Sequence, residues 1–280
     1  MKKKKHSFSV FGFLMFVGIL CLDVQLFARM EQEAKFAYVI DRDRIYETFR
    51  DEQVPLEVSK TLKKDGSKAD FSNRLFCYFV TGDTGEDTAL QLTKRLERRK
   101  NPVQQEFISY IDAVWKDVVY FPVPESEQND NATVSYSDSW MQSRTYGGKR
   151  GHEGCDIMAS INERGVYPVV SMTDGIVEQV GWLKLGGWRL GIRSPSGGYF
   201  YYAHLYDYAK DFKAGDEIRA GELLGFMGDS GYSDTEGTVG NFPVHLHVGI
   251  YINDKDGNEV SVNPYWILRT LDEKKLSYDY

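Results

Sequence analysis

The sequence predicts an α+β protein: an N-terminal helical region followed by a compact antiparallel β domain. Apolar residues recur at helical spacing in the first half, as in Phe71, Leu75, Phe76, Phe79 and Val80. From Ser135 onward, short apolar runs alternate with glycine-rich turns. No helix of normal length fits between Gly147 and Tyr251.

The chain begins with Lys2 to Lys5, then an apolar run from Phe8 to Leu22 that ends at Asp23. A basic start before such a run is the pattern of an export signal, so residues 1–30 read as a signal peptide or membrane anchor. The run is long for the core of a cleaved signal and short for a transmembrane helix. Leu26-Phe27-Ala28 is a poor cleavage site. In either case the lysines stay inside and the rest of the chain crosses the membrane.

Residues 31–120 read as a helical, membrane-proximal domain. Gly82-Asp83-Thr84-Gly85 breaks the first stripe, and Leu90, Leu92 and Leu96 resume it. Asn101-Pro102 predicts a helix N-cap with proline in the first turn, and Gln104 is placed to complete a capping box. Phe107, Ile108, Ile111, Val114, Trp115 and Val118 mark the buried face of that last helix. This region carries no catalytic constellation and reads as a packing or spacer domain. Phe121-Pro122-Val123-Pro124 and the polar run after it predict a linker over residues 121–134.

Residues 135–280 form the β domain. Tyr167 to Met172 and Ile176 to Val180 read as one hairpin, turned at Asp174-Gly175. Trp188 to Arg193 and Tyr199 to Leu205 read as another, with Phe200, Tyr202 and His204 on one face. A last helical patch covers Pro264 to Leu271.

The net charge is −7, and beyond the N-terminus there is no basic stripe, which argues against a nucleic-acid partner. Three cysteines cannot build a disulfide framework. Cys21 lies in the apolar run, and Cys155 reads as a small buried residue rather than a ligand or nucleophile.

The chemistry concentrates in four of the five histidines: His152, His204, His245 and His247. In Val244-His245-Leu246-His247-Val248 an extended strand turns both imidazoles to one face. His152-Glu153-Gly154-Cys155-Asp156 sets an imidazole and a carboxylate four positions apart, and Gly154 allows the backbone to bend between them. His152, Asp156 and one histidine of the downstream pair make a two-nitrogen, one-oxygen donor set. Three protein ligands leave the fourth tetrahedral position for water, as a catalytic zinc requires. Glu153 alternates away from this face and reads as solvated. Tyr146, Tyr202 and Trp188 are candidates for the border of a cleft, and Arg150 for steering a substrate carboxylate.

These residues together resemble the lysostaphin-type peptidoglycan hydrolases, metallopeptidase family 23. Four blocks match in order: His152 to Asp156, Asp174-Gly175-Ile176-Val177 with Gly181-Trp182, Tyr202-Ala203-His204-Leu205, and His245-Leu246-His247. The likeness covers roughly Ser135 to Pro264 and leaves out the helical half. It implies that the β domain is a zinc metallopeptidase, with one zinc ion per chain held by His152, Asp156 and His247. It implies that His204 and His245 are the catalytic histidines, with the roles of base and oxyanion stabiliser left open between them. The implied substrate is the peptide stems or cross-bridges of peptidoglycan. The implied location is outside the cytoplasm, at the cell wall, secreted or membrane-anchored, with protein regulators as further partners. The alternative is a non-catalytic, peptidoglycan-binding or regulatory protein with a partner-controlled metal site; intact His204 and His245 argue against it.

Overall fold

The computed structural model describes residues 10–36, 41–63, 66–146 and 148–280. Lys2 to Lys5 and Phe8, the start of the expected export signal, lie outside the described residues. The chain divides into two units, Met1–Asp41 and Arg42–Tyr280. In the first, helix α1 (Val10–Phe36) contains a stretch, Gly12–Glu31, long and apolar enough to cross a membrane, a property it shares with signal sequences.

The second unit begins with helices α2 (Arg42–Asp51), α3 (Leu56–Leu62), α4 (Phe71–Thr81), α5 (Glu86–Arg98) and α6 (Pro102–Trp115). Asp70 caps α4 by accepting the Asn73 N–H at 2.8 Å, and the helix stops at Gly82, whose φ of 73° suits glycine. Asn101 caps α6 by accepting the Val103 N–H at 3.0 Å, with Pro102 in the first turn as its sequence predicts. The capping box with Gln104 does not form. Gln104 is buried, and its amide donates to Asn73 Oδ1 at 2.8 Å and Thr93 Oγ1 at 3.2 Å, tying α6 to α4 and α5. Tertiary partners outcompete the local one because the side chain faces the helix packing.

The apolar stripes of these helices meet in an aromatic core, where the Phe107 ring lies 6.2 Å from those of Phe49 and Phe76. Glu52 is buried there, and burial holds its carboxyl well above the usual range although the Trp115 indole N–H donates to it at 2.9 Å.

Fourteen strands follow among the described residues: β1 (Glu125–Ser126), β2 (Val134–Ser135), β3 (Ser143–Arg144), β4 (Arg150–Gly151), β5 (Cys155–Ala159), β6 (Pro168–Val170) and β7 (Gly175–Leu183). The rest are β8 (Gly187–Arg193), β9 (Tyr199–Tyr208), β10 (Glu217–Ile218), β11 (Leu223–Met227), β12 (His245–Asn253), β13 (Glu259–Val262) and β14 (Ser277–Tyr278). Helix α7 (Tyr265–Leu271) falls where the last helical patch is expected. The large sheet runs β10-β7-β8-β9-β12-β5-β2, with β13 beside β12, and β11 beside β9 and β6. Its pairings are all antiparallel. The α+β reading therefore stands, with the helices first and an antiparallel sheet after them.

One expected hairpin is absent. Residues 168–170 pair with β11, whereas β7 pairs with β8 and β10. Asp174 accepts the Ala220 N–H at 2.7 Å, and Gly175 presses against the Arg193 carbonyl where a Cβ would collide. Asp174-Gly175 thus serves a close crossing between strands rather than a two-residue turn. The second expected hairpin forms as β8 with β9.

Helix α6 packs on β12 and α2 on β13. The Asn263 N–H donates to the Arg50 carbonyl at 2.8 Å, and the Lys255 N–H to the Tyr110 hydroxyl at 2.8 Å. In the 121–134 segment, Phe121 and Val123 are fully buried.

Replacing Gln104 by alanine removes the donor shared by Asn73 and Thr93 and leaves only the Thr93 hydroxyl on Asn73 Oδ1, at 3.2 Å. We expect a loss of about 1–3 kcal/mol in chemical denaturation of Gln104→Ala, with the far-UV signal of the native state unchanged.

Candidate metal centre and cleft

Strand β12 carries Leu246, Val248 and Ile250 fully buried on one face, and its histidines on the other. Beside it, β5 places Asp156 directly opposite His247. Residues paired across strands stand about 5 Å apart at Cβ, so register alone brings imidazole to carboxylate. His247 Nδ1 lies 3.0 Å from Asp156 Oδ1. His152, just before β5, brings its Nε2 to 3.0 Å from His247 Nδ1 and 3.0 Å from Asp156 Oδ1.

Gly154 makes this approach work in a way the sequence does not foresee. It is absent from the positive-φ glycines, so a sharp bend is not its role. A Cβ there would lie 2.6 Å from His247 Nε2 and 2.6 Å from the Val248 carbonyl. The glycine is needed for the room it leaves.

The three donor atoms form a triangle whose sides are all 3.0 Å. Ligands about 2.0–2.1 Å from a tetrahedral zinc stand roughly 3.3 Å from one another, so a small outward relaxation admits the ion. The surrounding bonds orient these donors. His152 Nδ1 faces the Ser139 carbonyl at 3.2 Å and the Ser139 hydroxyl at 2.9 Å. A carbonyl only accepts, so Nδ1 carries the proton and Nε2 turns its lone pair to the triangle. Arg144 Nη2 donates to the outer oxygen, Asp156 Oδ2, at 2.7 Å. Burial pushes the Asp156 carboxyl up, but the imidazoles packed against it, His152 and His247 first, more than offset that and hold the group well below the usual range.

His245 and His204 flank this triangle. His245 Nε2 is 3.8 Å from Asp156 Oδ1, and the rings of His204 and His245 are 4.7 Å apart. His245 Nδ1 donates to the Pro243 carbonyl and His204 Nδ1 to the Ser230 carbonyl, each at 2.7 Å. Both rings therefore keep Nε2 as a free acceptor. Burial lowers the pKa of His204, His245 and His247 below the ordinary 6.5, so these rings are neutral near pH 7.

His204 reaches the cleft through a backbone irregularity. The β8–β9 register steps from Trp188↔Leu205 to Leu190↔Tyr202, so Ala203 and His204 together face Arg189. His204 takes a φ of 62°, rare for a residue with a Cβ. The bulge moves it off the core face of Phe200 and Tyr202, where simple alternation puts it, and onto the cleft beside Tyr201.

The five site residues expected from sequence thus line one cavity of about 570 Å³, walled also by Tyr199, Tyr201, Tyr232 and Tyr251. Arg150 lines it, and Glu153 is an exposed part of its wall. Tyr202 and Trp188 do not line it. Tyr202 is fully buried, its hydroxyl accepting the Met172 N–H at 2.8 Å, and Trp188 meets Trp182 edge-on. Tyr146 stacks on Tyr232, with ring centroids 4.4 Å apart. Among the described residues no helix residue lines the cleft.

Sequence reasoning missed Ser139, Arg144 and Arg189. The first two act through hydrogen bonds across the β3–β4 hairpin region, for which no local spacing gives a signal. The tyrosines at 199 and 201 were accessible from strand alternation alone.

The family described as peptidase family M23 matches residues 150–264. The L-Ala–D-Glu endopeptidase of Bacillus subtilis is 42% identical over 160 residues, 57% of this chain and 44% of its own length. The glycyl-glycine endopeptidase ALE-1 of Staphylococcus capitis is 29% identical over 144 residues, 49% of this chain and 36% of its own length. The chain therefore spans less than half the length of these curated relatives. A solved structure from Ruminococcus gnavus, described provisionally as a glycyl-glycine endopeptidase lytM, is 44% identical with a TM-score of 0.72. That likeness covers 83% of this chain and 93% of the other.

Two outcomes follow from the geometry. Gly154→Ala displaces the His247 ring, and metal titration is expected to show affinity reduced about 10- to 100-fold. The pH dependence has two windows. A histidine lowered by burial adds stability that is present above about 6.5 and lost as pH falls below it, because the unfolded chain then binds more protons. Asp156, held low, adds stability that is lost only as pH falls below its ordinary 3.8. The melting temperature of the metal-free chain should decline from about pH 7 to about pH 5, before Asp156 protonates, and His204→Gln should flatten that decline.

Proposed function

We propose that this chain, which belongs to peptidase family M23, is a zinc-dependent endopeptidase that hydrolyses peptide stems or cross-bridges of bacterial peptidoglycan. One observation carries the reading: a triangle of His152 Nε2, Asp156 Oδ1 and His247 Nδ1, flanked by two neutral imidazoles that expose Nε2. The names of the relatives, which act on L-Ala–D-Glu and glycyl-glycine bonds, support the substrate class.

His152, Asp156 and His247 would hold the ion. Zinc, when bound, supplies Lewis acidity toward the scissile carbonyl and draws the pKa of water toward neutrality. His204 and His245 handle the protons. A neutral ring with Nδ1–H fixed on a carbonyl can accept a proton at Nε2 from the attacking water. The imidazolium so formed can return that proton to the leaving amine, and the other ring can donate toward the oxyanion only once its own Nε2 is protonated. Arg144 fixes the outer oxygen of Asp156, so the carboxylate keeps its orientation through the cycle. A regulatory protein with a purely structural metal has no use for two further imidazoles oriented in this way.

We further infer that residues 1–30 are an export signal or anchor, which puts the catalytic domain outside the cytoplasm, secreted or membrane-anchored at the cell wall. The apolar stretch Gly12–Glu31 supports this. Residues 31–120 would then be the membrane-proximal part and 121–134 the connection to the peptidase domain, 135–280.

Full-length protein loaded with zinc should release fragments from purified cell walls. His245→Ala and His204→Ala should each lower that rate about 100-fold or more, with metal content unchanged. Wild-type rates persisting in either variant would remove that histidine from the reaction.

A further inference from the structure

Arg189 is 8% exposed and lines the cleft. Its Nη2 donates to Gln179 Oε1 at 3.3 Å, but Nε and Nη1 have no partner. No carboxylate lies within ion-pair distance of it among the described residues. Of the four acids in the cleft wall, Glu178 and Glu259 face Arg193, at 2.6 Å and 3.8 Å, Asp156 belongs to the metal triangle, and Glu153 is exposed. A buried guanidinium without a counter-ion is costly, and Nη1 with the second N–H of Nη2 makes the planar fork that matches a carboxylate.

Its position relates it to the metal centre. Across the sheet, Arg189 faces the Ala203–His204 bulge on β9, and Ala203 faces His247 on β12. Neighbouring strands are about 4.8 Å apart, so the backbone of Arg189 lies roughly 10 Å from that of His247. An extended peptide advances about 3.3 Å per residue, which places the group Arg189 meets within about three residues of the bond cut. Tyr199 and Tyr201 stand near enough for the charge of Arg189 to act on their hydroxyls, and both rings line the same cleft. Gly186 and Gly191 clear the space for those hydroxyls, where a Cβ would collide with Tyr201 and Tyr199.

We infer that Arg189 binds a free carboxylate of the substrate, within about three residues of the scissile bond. The preferred substrate is accordingly an acidic stem peptide rather than an uncharged glycine bridge. This rests on the endopeptidase reading and narrows it.

The test uses two synthetic peptides and the full-length, zinc-loaded chain. Both contain N-acetyl-L-alanyl-D-glutamyl-L-lysine amide, linked through the glutamyl side-chain carboxyl and with the C-terminus blocked. One keeps the free α-carboxylate, and the other is its carboxamide. The wild type should favour the carboxylate peptide about 10- to 100-fold in kcat/KM, as expected for a charge-assisted pair. In Arg189→Gln that ratio should collapse to near one, and Arg189→Lys, which keeps the charge without the fork, should give an intermediate ratio. Zinc stoichiometry reports whether each variant has kept the fold of the site. Equal rates on the two peptides in the wild type, or an undiminished ratio in Arg189→Gln, overturn the inference. Calorimetric titration with the same pair separates it from the reading it rests on. Carboxylate-dependent binding without cleavage counts against the endopeptidase and supports Arg189, whereas binding indifferent to the carboxylate, or none to the carboxylate peptide, overturns the role of Arg189.

Discussion

The site depends on the register of β12 against β5. Pairing His247 with Asp156 sets a nitrogen beside a carboxylate oxygen with no further folding, and His245 follows on the same face because strand side chains repeat every second residue. A slip of one residue would turn Leu246 to the cleft and both histidines into the core. The buried row Leu246, Val248 and Ile250 guards against that slip, so the packing of one face positions the chemistry of the other.

Much of this is legible in the sequence because strand alternation and helix periodicity are local. The His245-Leu246-His247 alternation, the α6 cap at Asn101-Pro102 and the break at Gly82 each depend on a few neighbouring residues. What escaped depends on distant partners. Gln104 satisfies a capping pattern but bonds across the helix layer, and Asp174-Gly175 satisfies a turn pattern but marks a strand crossing. His204 is the instructive case. Its role followed from a family resemblance, yet strict alternation puts it in the core, and only a bulge with a left-handed residue brings it to the cleft. Arg144 and Ser139 bear on the site through contacts that no spacing encodes.

The helical layer contributes to the site indirectly. Among the described residues it supplies none that line the cleft, but α6 and α2 pack against β12 and β13, the strands that continue from the histidine pair. Hydrogen bonds from Asn263 to Arg50 and from Lys255 to Tyr110 join the layer to the backbone at that end of the sheet. The helices thus stiffen the strand that holds the donors while leaving the cleft free for an extended chain.

The salt link between Arg144 and Asp156 also bears on which ion can compete for the centre. With its outer oxygen engaged, the carboxylate offers a single oxygen, and a set of two nitrogens and one oxygen falls far short of the six to eight oxygens that calcium takes. Nitrogen-rich sets of this size bind copper(II) more tightly than zinc, and nickel as well as cobalt comparably. Donor chemistry therefore excludes the hard cations but does not discriminate among the later transition metals. Which of them such a site would take depends on geometry and on metal supply as well as on the donors.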